Sequence, residues 1–329
     1  MEVKVKTGGL GKRRTPRRKL AALAQASFLW LGSALVPRLS RRRELQLAHF
    51  VAWLMCRPAF RFHRHAVENV ELVYGGSMPE SGKRRLVRES FENAARVLVD
   101  YFWFASDTSA RLARHVEVGD ATMERWISGD FPGVFVTAHI GNWELAGLAI
   151  AERGRRLWSV FKPFGGAAVA RRMEAFRSAG GQRVIRRDGA ATGLVRALRA
   201  RDVVALLLDQ HVELRDGGEY RNFLGTPAAF SSAVGVLAHR LRVPVLVAAM
   251  VYDPERDVYC MRPVREFAAA ETAAADPGAL NAAIVEALEE TVRRWPGQWL
   301  WMYRRWKRYR PGDDPSRFPG YAKLDPCAK

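Results

Sequence analysis

The spacing of apolar positions changes character along this chain. Residues 20–36 are apolar apart from Gln25, Ser27 and Ser33. Residues 44–57 carry Leu45, Leu47, Ala48, Val51, Ala52, Leu54 and Met55, the pattern of an amphipathic helix. Residues 81–104 repeat a helical period with Leu86, Phe91, Ala94, Ala95, Val97, Leu98 and Phe102. From residue 134 onward, short apolar runs alternate with helix-period segments. The runs 134–138, 157–161, 184–185, 203–208, 245–252 and 258–262 predict strands. Segments 145–153, 167–179, 192–199 and 229–241 predict the helices between them, and 281–295 predicts one more. Such alternation implies an α/β fold: a single domain with a central, mostly parallel sheet flanked by helices.

The N-terminal pattern predicts more. Residues 20–36 make about 17 positions, the lower limit for a membrane-spanning helix. Basic residues precede them, so the run reads as an uncleaved anchor with its basic flank in the cytoplasm. The helix at 44–57 then suits the surface of a bilayer. The alternative is that both segments are core helices of a globular fold. The organisation expected is a basic disordered tail at 1–19, N-terminal membrane-associated helices at 20–75 broken near Pro37, a catalytic domain at 76–312 and a tail at 313–329. No internal repeat and no long linker interrupts the chain.

A length of 329 residues accommodates one large α/β domain, and a hydrophobic fraction of 48% supports a real core. The net charge of +19 changes the picture. It calls for an anionic partner: nucleic acid, a membrane surface, a phosphorylated substrate or an acidic carrier protein. The charge is clustered. Lys4, Lys6, Lys12, Arg13, Arg14, Arg17, Arg18 and Lys19 lead the chain, and Arg304, Arg305, Lys307, Arg308 and Arg310 interleave with Trp299, Trp301, Tyr303, Trp306 and Tyr309 near its end. Aromatics among arginines suit a lipid headgroup layer, and no nucleic-acid recognition motif accompanies the charge. Cys56, Cys260 and Cys327 form neither a disulfide framework nor a metal spacing.

Candidate chemistry gathers where apolar runs end. The run 134–138 delivers His139 to a Gly141-Asn142 turn, with Glu144 at the start of the next helix. The run 203–208 delivers Asp209-Gln210-His211. In open α/β sheets, sites form at the carboxyl ends of strands. On one uninterrupted helix, His139 and Glu144 would stand roughly 140° apart. They meet only if the turn reverses the chain, in which case Glu144 would hold one ring nitrogen and leave the other as a base. There is no G-x-S-x-G elbow and no H-E-x-x-H helix. Gly8-Gly9-Leu10-Gly11-Lys12 lacks the spacing of a phosphate-binding loop.

Ala138-His139-Ile140-Gly141-Asn142-Trp143-Glu144 resembles the H-x4-D/E block of the bacterial lipid A late acyltransferases, the lauroyl and myristoyl transferase family. Val160-Phe161-Lys162-Pro163 resembles that family's aromatic-Arg-Pro segment, and Asp209-Gln210 its Asp-Gln pair. Phe223-Leu224-Gly225-Thr226-Pro227-Ala228 is similar to its Phe-Gly-x-Pro-Ala loop. The stretch from Pro296-Gly297-Gln298-Trp299 through Trp306-Lys307 is similar to its closing block. These blocks occur in family order between about residues 20 and 312. Lys162 replaces the usual arginine, and Tyr303 stands near a usual histidine.

The resemblance implies a glycerolipid-acyltransferase-like fold and direct acyl transfer from an acyl carrier protein (or acyl-CoA) thioester to a hydroxyl of a phosphorylated glycolipid. It implies no metal or organic cofactor, and no nucleic acid as partner. It places the chain at the inner membrane, with its catalytic domain on the anionic cytoplasmic face. On this reading His139 is the general base and Glu144 orients it. Asp209 and Gln210 support catalysis or bind the acceptor. Asn142 and the nearby helix-start amides face the thioester oxyanion, while Lys162, Arg171 and Arg172 hold phosphate groups. Other acceptors, such as a phosphatidylinositol mannoside or a lysophospholipid, fit the histidine block as well.

Overall fold

A computed structural model describes residues 16–161, 167–186 and 189–328. Four helices lead: α1 (Pro16–Leu35), α2 (Arg41–Met55), α3 (Arg61–Tyr74) and α4 (Glu80–Trp103). Helix α5 (Thr108–His115), strand β1 (Val116–Glu117) and helix α6 (Ala121–Ser128) follow. The alternating part then runs β2 (Gly133–Thr137), α7 (Trp143–Glu152), β3 (Leu157–Phe161), α8 (Ala167–Ala179), β4 (Arg183–Arg186), α9 (Ala190–Arg199) and β5 (Val203–Leu207). A hairpin of β6 (Gly218–Phe223) and β7 (Thr226–Ser231) precedes α10 (Ala233–Leu241), β8 (Val245–Asp253), β9 (Val258–Phe267), α11 (Ala269–Ala274) and α12 (Pro277–Arg294). Short strands β10 (Arg308–Tyr309) and β11 (Lys323–Leu324) pair with each other, so residues after 312 fold back onto the domain.

The main sheet has the order β1-β9-β8-β2-β5-β3-β4. All its pairings are parallel except β8 with β9. The predicted central sheet is therefore present. Its middle strands are rich in β-branched residues and buried on both sides, as parallel strands under helices must be. Alternation across the pleat divides the core. Val134, Val136, Val204 and Leu206 join one apolar cluster with Leu194, Leu237 and Leu288 from α9, α10 and α12. Phe135, Val203 and Leu246 join the other with Leu145, Leu148 and Phe176 from α7 and α8.

The expected N-terminal membrane helices are corrected by the structure. Among the described residues, no helix is long and apolar enough to cross a membrane. Helix α1 spends its first turn on Pro16-Arg17-Arg18-Lys19 and gives way to a 3-10 turn at Val36–Arg38. The apolar stretch between rises about 24 Å, short of a hydrocarbon layer of roughly 30 Å. The spanning anchor on which the inner-membrane location rested is corrected with it. Helix α2 packs on α4, burying Ala48, Ala52 and the whole of Glu44. Arg41 binds it there, donating to Glu44 at 2.7 Å, to Asp100 of α4 at 2.6 Å and to Asp257 at 3.0 Å. The other sides of α1 and α2 leave Phe28, Trp30, Phe50 and Trp53 exposed.

Two further expectations change. Helix formation starts at Pro16, inside the tail expected at 1–19; residues 1–15 lie outside the described part. The helix expected over 229–241 begins only at Ala233, because residues up to Ser231 pair with β6. Leu224 and Gly225 both adopt positive φ, 53° and 85°, which closes a tight two-residue turn between those strands.

Candidate active site

Strands β2 and β5 are parallel neighbours, with Thr137 opposite Leu207. His139 and Asp209 therefore leave the same edge of the sheet side by side. Asp209 Oδ1 lies 2.7 Å from His139 Nδ1, and its Oδ2 accepts the His139 backbone N–H at 2.9 Å. Trp299 Nε1 donates to the same Oδ2 at 2.9 Å. Burial would raise the Asp209 carboxyl. The facing His139 ring and the hydrogen bonds from His139 and Trp299 together outweigh it and hold the group below the usual carboxylate range. An ionised Asp209 fixes the ring proton on Nδ1 and leaves a lone pair on Nε2. That nitrogen faces Gln210 Nε2 at 3.3 Å, and the His139 side chain stays 17% exposed. The Trp143 ring packs edge-on against the imidazole, with 4.8 Å between centroids.

The backbone beneath the histidine is built for close approach. Gly141 has φ 56°, and a Cβ there would lie 1.7 Å from the Met250 carbonyl oxygen. The next amide, of Asn142, donates to that same oxygen at 2.8 Å. The segment 296–301 clamps this turn: Gly141 N–H donates to Gln298 O, Leu300 N–H donates to His139 O, and Ile140 bridges to Trp299. Polar residues on the buried face of α4 support the clamp. Asn93 Nδ2 donates to Gly141 O and Gln298 O, and Ser90 Oγ donates to Trp299 O at 2.7 Å. Asn69 of α3 donates to Trp301 O and Tyr303 O.

Glu144 is not brought to His139. Both its oxygens accept from Arg177 of α8, at 2.7 and 2.9 Å, in a buried bidentate pair. Asn142 is committed too: its Oδ1 caps α7 at Leu145 N–H and its Nδ2 donates to Asp100. Its side chain is buried, and both its polar atoms are used in these bonds. Arg171 is exposed on α8. Arg172, one residue on, is half-buried, with its Nε lacking a hydrogen-bond partner. Lys162 lies outside the described residues. His211 turns toward Glu213 at 3.5 Å and leaves the pair of Asp209 with His139 alone.

Sequence reasoning named Asp209 but gave the orienting role to Glu144, and it missed Arg177, Ser90, Asn93 and the role of Trp299. Ser90, Asn93 and Asp100 share the face of α4 that carries Leu86 and Val97, and all are buried. Polar residues on an apolar stripe were the available signal. Arg177 had none, because its partner is distant in sequence.

A family model for bacterial lipid A biosynthesis acyltransferases matches residues 10–308. The chain belongs to that family. It is an acyltransferase, moving an acyl group from a donor to an acceptor. No curated protein matches the chain individually. For a member of this acyltransferase family, the closing block from Pro296 has a structural meaning. It is the strap that holds the histidine turn and supplies the indole donor to Asp209.

Proposed function

We propose that this acyltransferase uses His139 as the general base on an acceptor hydroxyl, with Asp209 rather than Glu144 as its orienting carboxylate. One observation carries the reading: Nδ1 is bound to a buried, ionised carboxylate, while Nε2 meets the exposed side chain of Gln210. Nε2 takes the hydroxyl proton as the oxygen adds to the carbonyl carbon of an acyl thioester. The C–S bond then breaks, and the imidazolium returns its proton to the leaving sulfur, so the thiol departs and the base is restored. Asp209 stabilises that imidazolium without taking its proton. A positioned base contributes about 100- to 10,000-fold. With Asn142 committed to capping Leu145 N–H, the Trp143 and Glu144 amides at the start of α7 are the donors proposed for the oxyanion, because helix starts leave such amides without intrahelical partners. Glu144 acts through Arg177, joining α8 to the start of α7.

The donor we propose is an acyl carrier protein thioester, with acyl-CoA as its small-molecule equivalent, and the acceptor a phosphorylated glycolipid of the lipid A precursor class. The family supports this, as does the net charge of +19. Exposed Arg171, Arg186, Arg196 and Arg199 on α8, β4 and α9 offer cations to phosphate groups or an acidic carrier. Lys162 and Arg172 are proposed for the same task.

The test is an acyl-transfer assay with purified wild type and His139→Ala, given acyl carrier protein thioesters and a phosphorylated lipid A precursor. An acylated lipid that disappears with the variant is the expected result. Thioester hydrolysis without lipid product rejects this acceptor class. Near-normal transfer by a folded His139→Ala protein sinks the general-base mechanism.

A further inference from the structure

His139 Nε2 is the atom that must meet the acceptor proton, and it already has a company of one. Among the described residues its hydrogen-bond partner is Gln210 Nε2, at 3.3 Å. Since Nδ1 holds the ring proton against Asp209, Nε2 is an acceptor and the Gln210 amide N–H donates to it. Gln210 follows Asp209 directly at the end of β5, is exposed, and makes no other side-chain hydrogen bond among the described residues. A hydroxyl poised for proton transfer stands about 2.6–3.2 Å from its base. The amide nitrogen therefore sits close to where the hydroxyl oxygen must come, and the two cannot occupy that place together.

We propose that Gln210 is a positioning residue that holds the acceptor's place. It covers the base while acceptor is absent and gives way when the acceptor hydroxyl arrives. This rests on the general-base reading above and gives that site its selectivity for an alcohol over water. The need for it is chemical. A base that activates an alcohol also activates water, whose oxygen would add to the thioester carbon. The C–S bond would break, and the thiol would leave with the proton from the imidazolium, wasting the donor as free acid. Closed sites suppress such side reactions by excluding water. Here the base is partly exposed, so something local must cover it. An amide nitrogen is suited to this, since its delocalised lone pair makes it a poor nucleophile. One neutral hydrogen bond on an exposed side chain is weak enough to be displaced by an acceptor anchored elsewhere.

The experiment compares thioester hydrolysis without acceptor and acyl transfer with it, in wild type, Gln210→Ala, Gln210→Met, His139→Ala and the Gln210→Ala/His139→Ala double variant. Loss of the cover in Gln210→Ala is expected to raise the ratio of hydrolysis to transfer about tenfold, the weight of one hydrogen bond. Gln210→Met, which fills the space without the bond, should fall between. The double variant should lose the gain, because the water is activated by His139. An unchanged ratio in Gln210→Ala, or a raised acceptor KM with unchanged hydrolysis, overturns the placeholder and leaves an acceptor-binding residue. A gain that persists without His139 also overturns it. Transfer retained by His139→Ala alone overturns the underlying mechanism instead, so the two failures are told apart.

Discussion

Asp209 gathers the His139 backbone amide, the His139 ring and the Trp299 indole on one buried carboxylate. Such a carboxylate sets both the ring's orientation and its tautomer. Replacing it by an amide would present N–H to Nδ1 and move the ring proton to Nε2, the wrong side for a base. Asp209→Asn should therefore lower kcat by about 100- to 10,000-fold with little change in donor KM. Glu144→Ala should act differently. It strands the buried Arg177 guanidinium, which costs about 3–5 kcal/mol and should appear as a lowered thermal midpoint. Steady-state kinetics and thermal unfolding on both variants check the contrast. An Asp209→Asn enzyme within threefold of wild type would return the orienting role to another group. His139, Asp209 and Glu144 were all legible as polar residues at the ends of apolar runs. Which carboxylate serves the histidine was not, because sequence distance favours Glu144 while strand pairing delivers Asp209.

At the scale of elements, α2 is joined to α4 by ionisable groups as much as by apolar contact. Glu44, Asp100 and Asp257 converge on Arg41, and Tyr259 hydrogen-bonds Asp100. Burial, with the neighbouring Asp100 charge, pushes the Glu44 carboxyl up from 4.5 to about 8, against the pull of Arg41. The folded chain thus keeps a proton that the unfolded chain releases. The stability this brings is full below about pH 4.5 and is lost as pH rises toward 8. The thermal midpoint of the wild type should fall between about pH 5.5 and pH 8.5, and Glu44→Gln should flatten that slope. Parallel slopes would show that Glu44 does not carry the proton. The amphipathic period of residues 44–57 was readable. The surface it meets was not, since a helical stripe looks alike whether it faces lipid or α4. A buried Glu44 beside Arg41 and Asp100 belongs to a protein partner, which supplies polar groups to it.

Across the whole molecule the net charge is +19, and among the described residues most Lys and Arg side chains are exposed. Exposed charges are screened over a Debye length of about 10 Å at 0.1 M salt. If donor and acceptor are anionic as proposed, raising salt from about 0.05 to 0.3 M should raise their KM roughly five- to tenfold while kcat stays nearly level. A salt-insensitive KM would argue for neutral substrates. Molecular architecture also explains the C-terminal block. Residues 296–306 lie far from His139 in sequence, yet they pack between α3, α4 and the β6–β7 hairpin. Arg305 is wholly buried there, over the Phe230 ring at 3.9 Å, and donates to Ala229 O.

By itself the sequence determined the alternating sheet and helices, the two strand ends where chemistry collects, and the order of motifs that marks the acyltransferase family. These are local matters of period, turn residues and short blocks, each encoded within a few neighbouring positions. Tertiary structure alone decided that Asp209 and not Glu144 meets the histidine, that Arg177 claims Glu144, and that Asn142 turns inward as a cap. It also decided that residues 226–231 form a strand, and that α2 packs against α4. Most of these depend on which distant surfaces come together, and on the cost of leaving a buried charge or amide without a partner. No short window of the chain contains both halves of the contacts of His139 with Asp209, of Glu144 with Arg177, or of α2 with α4.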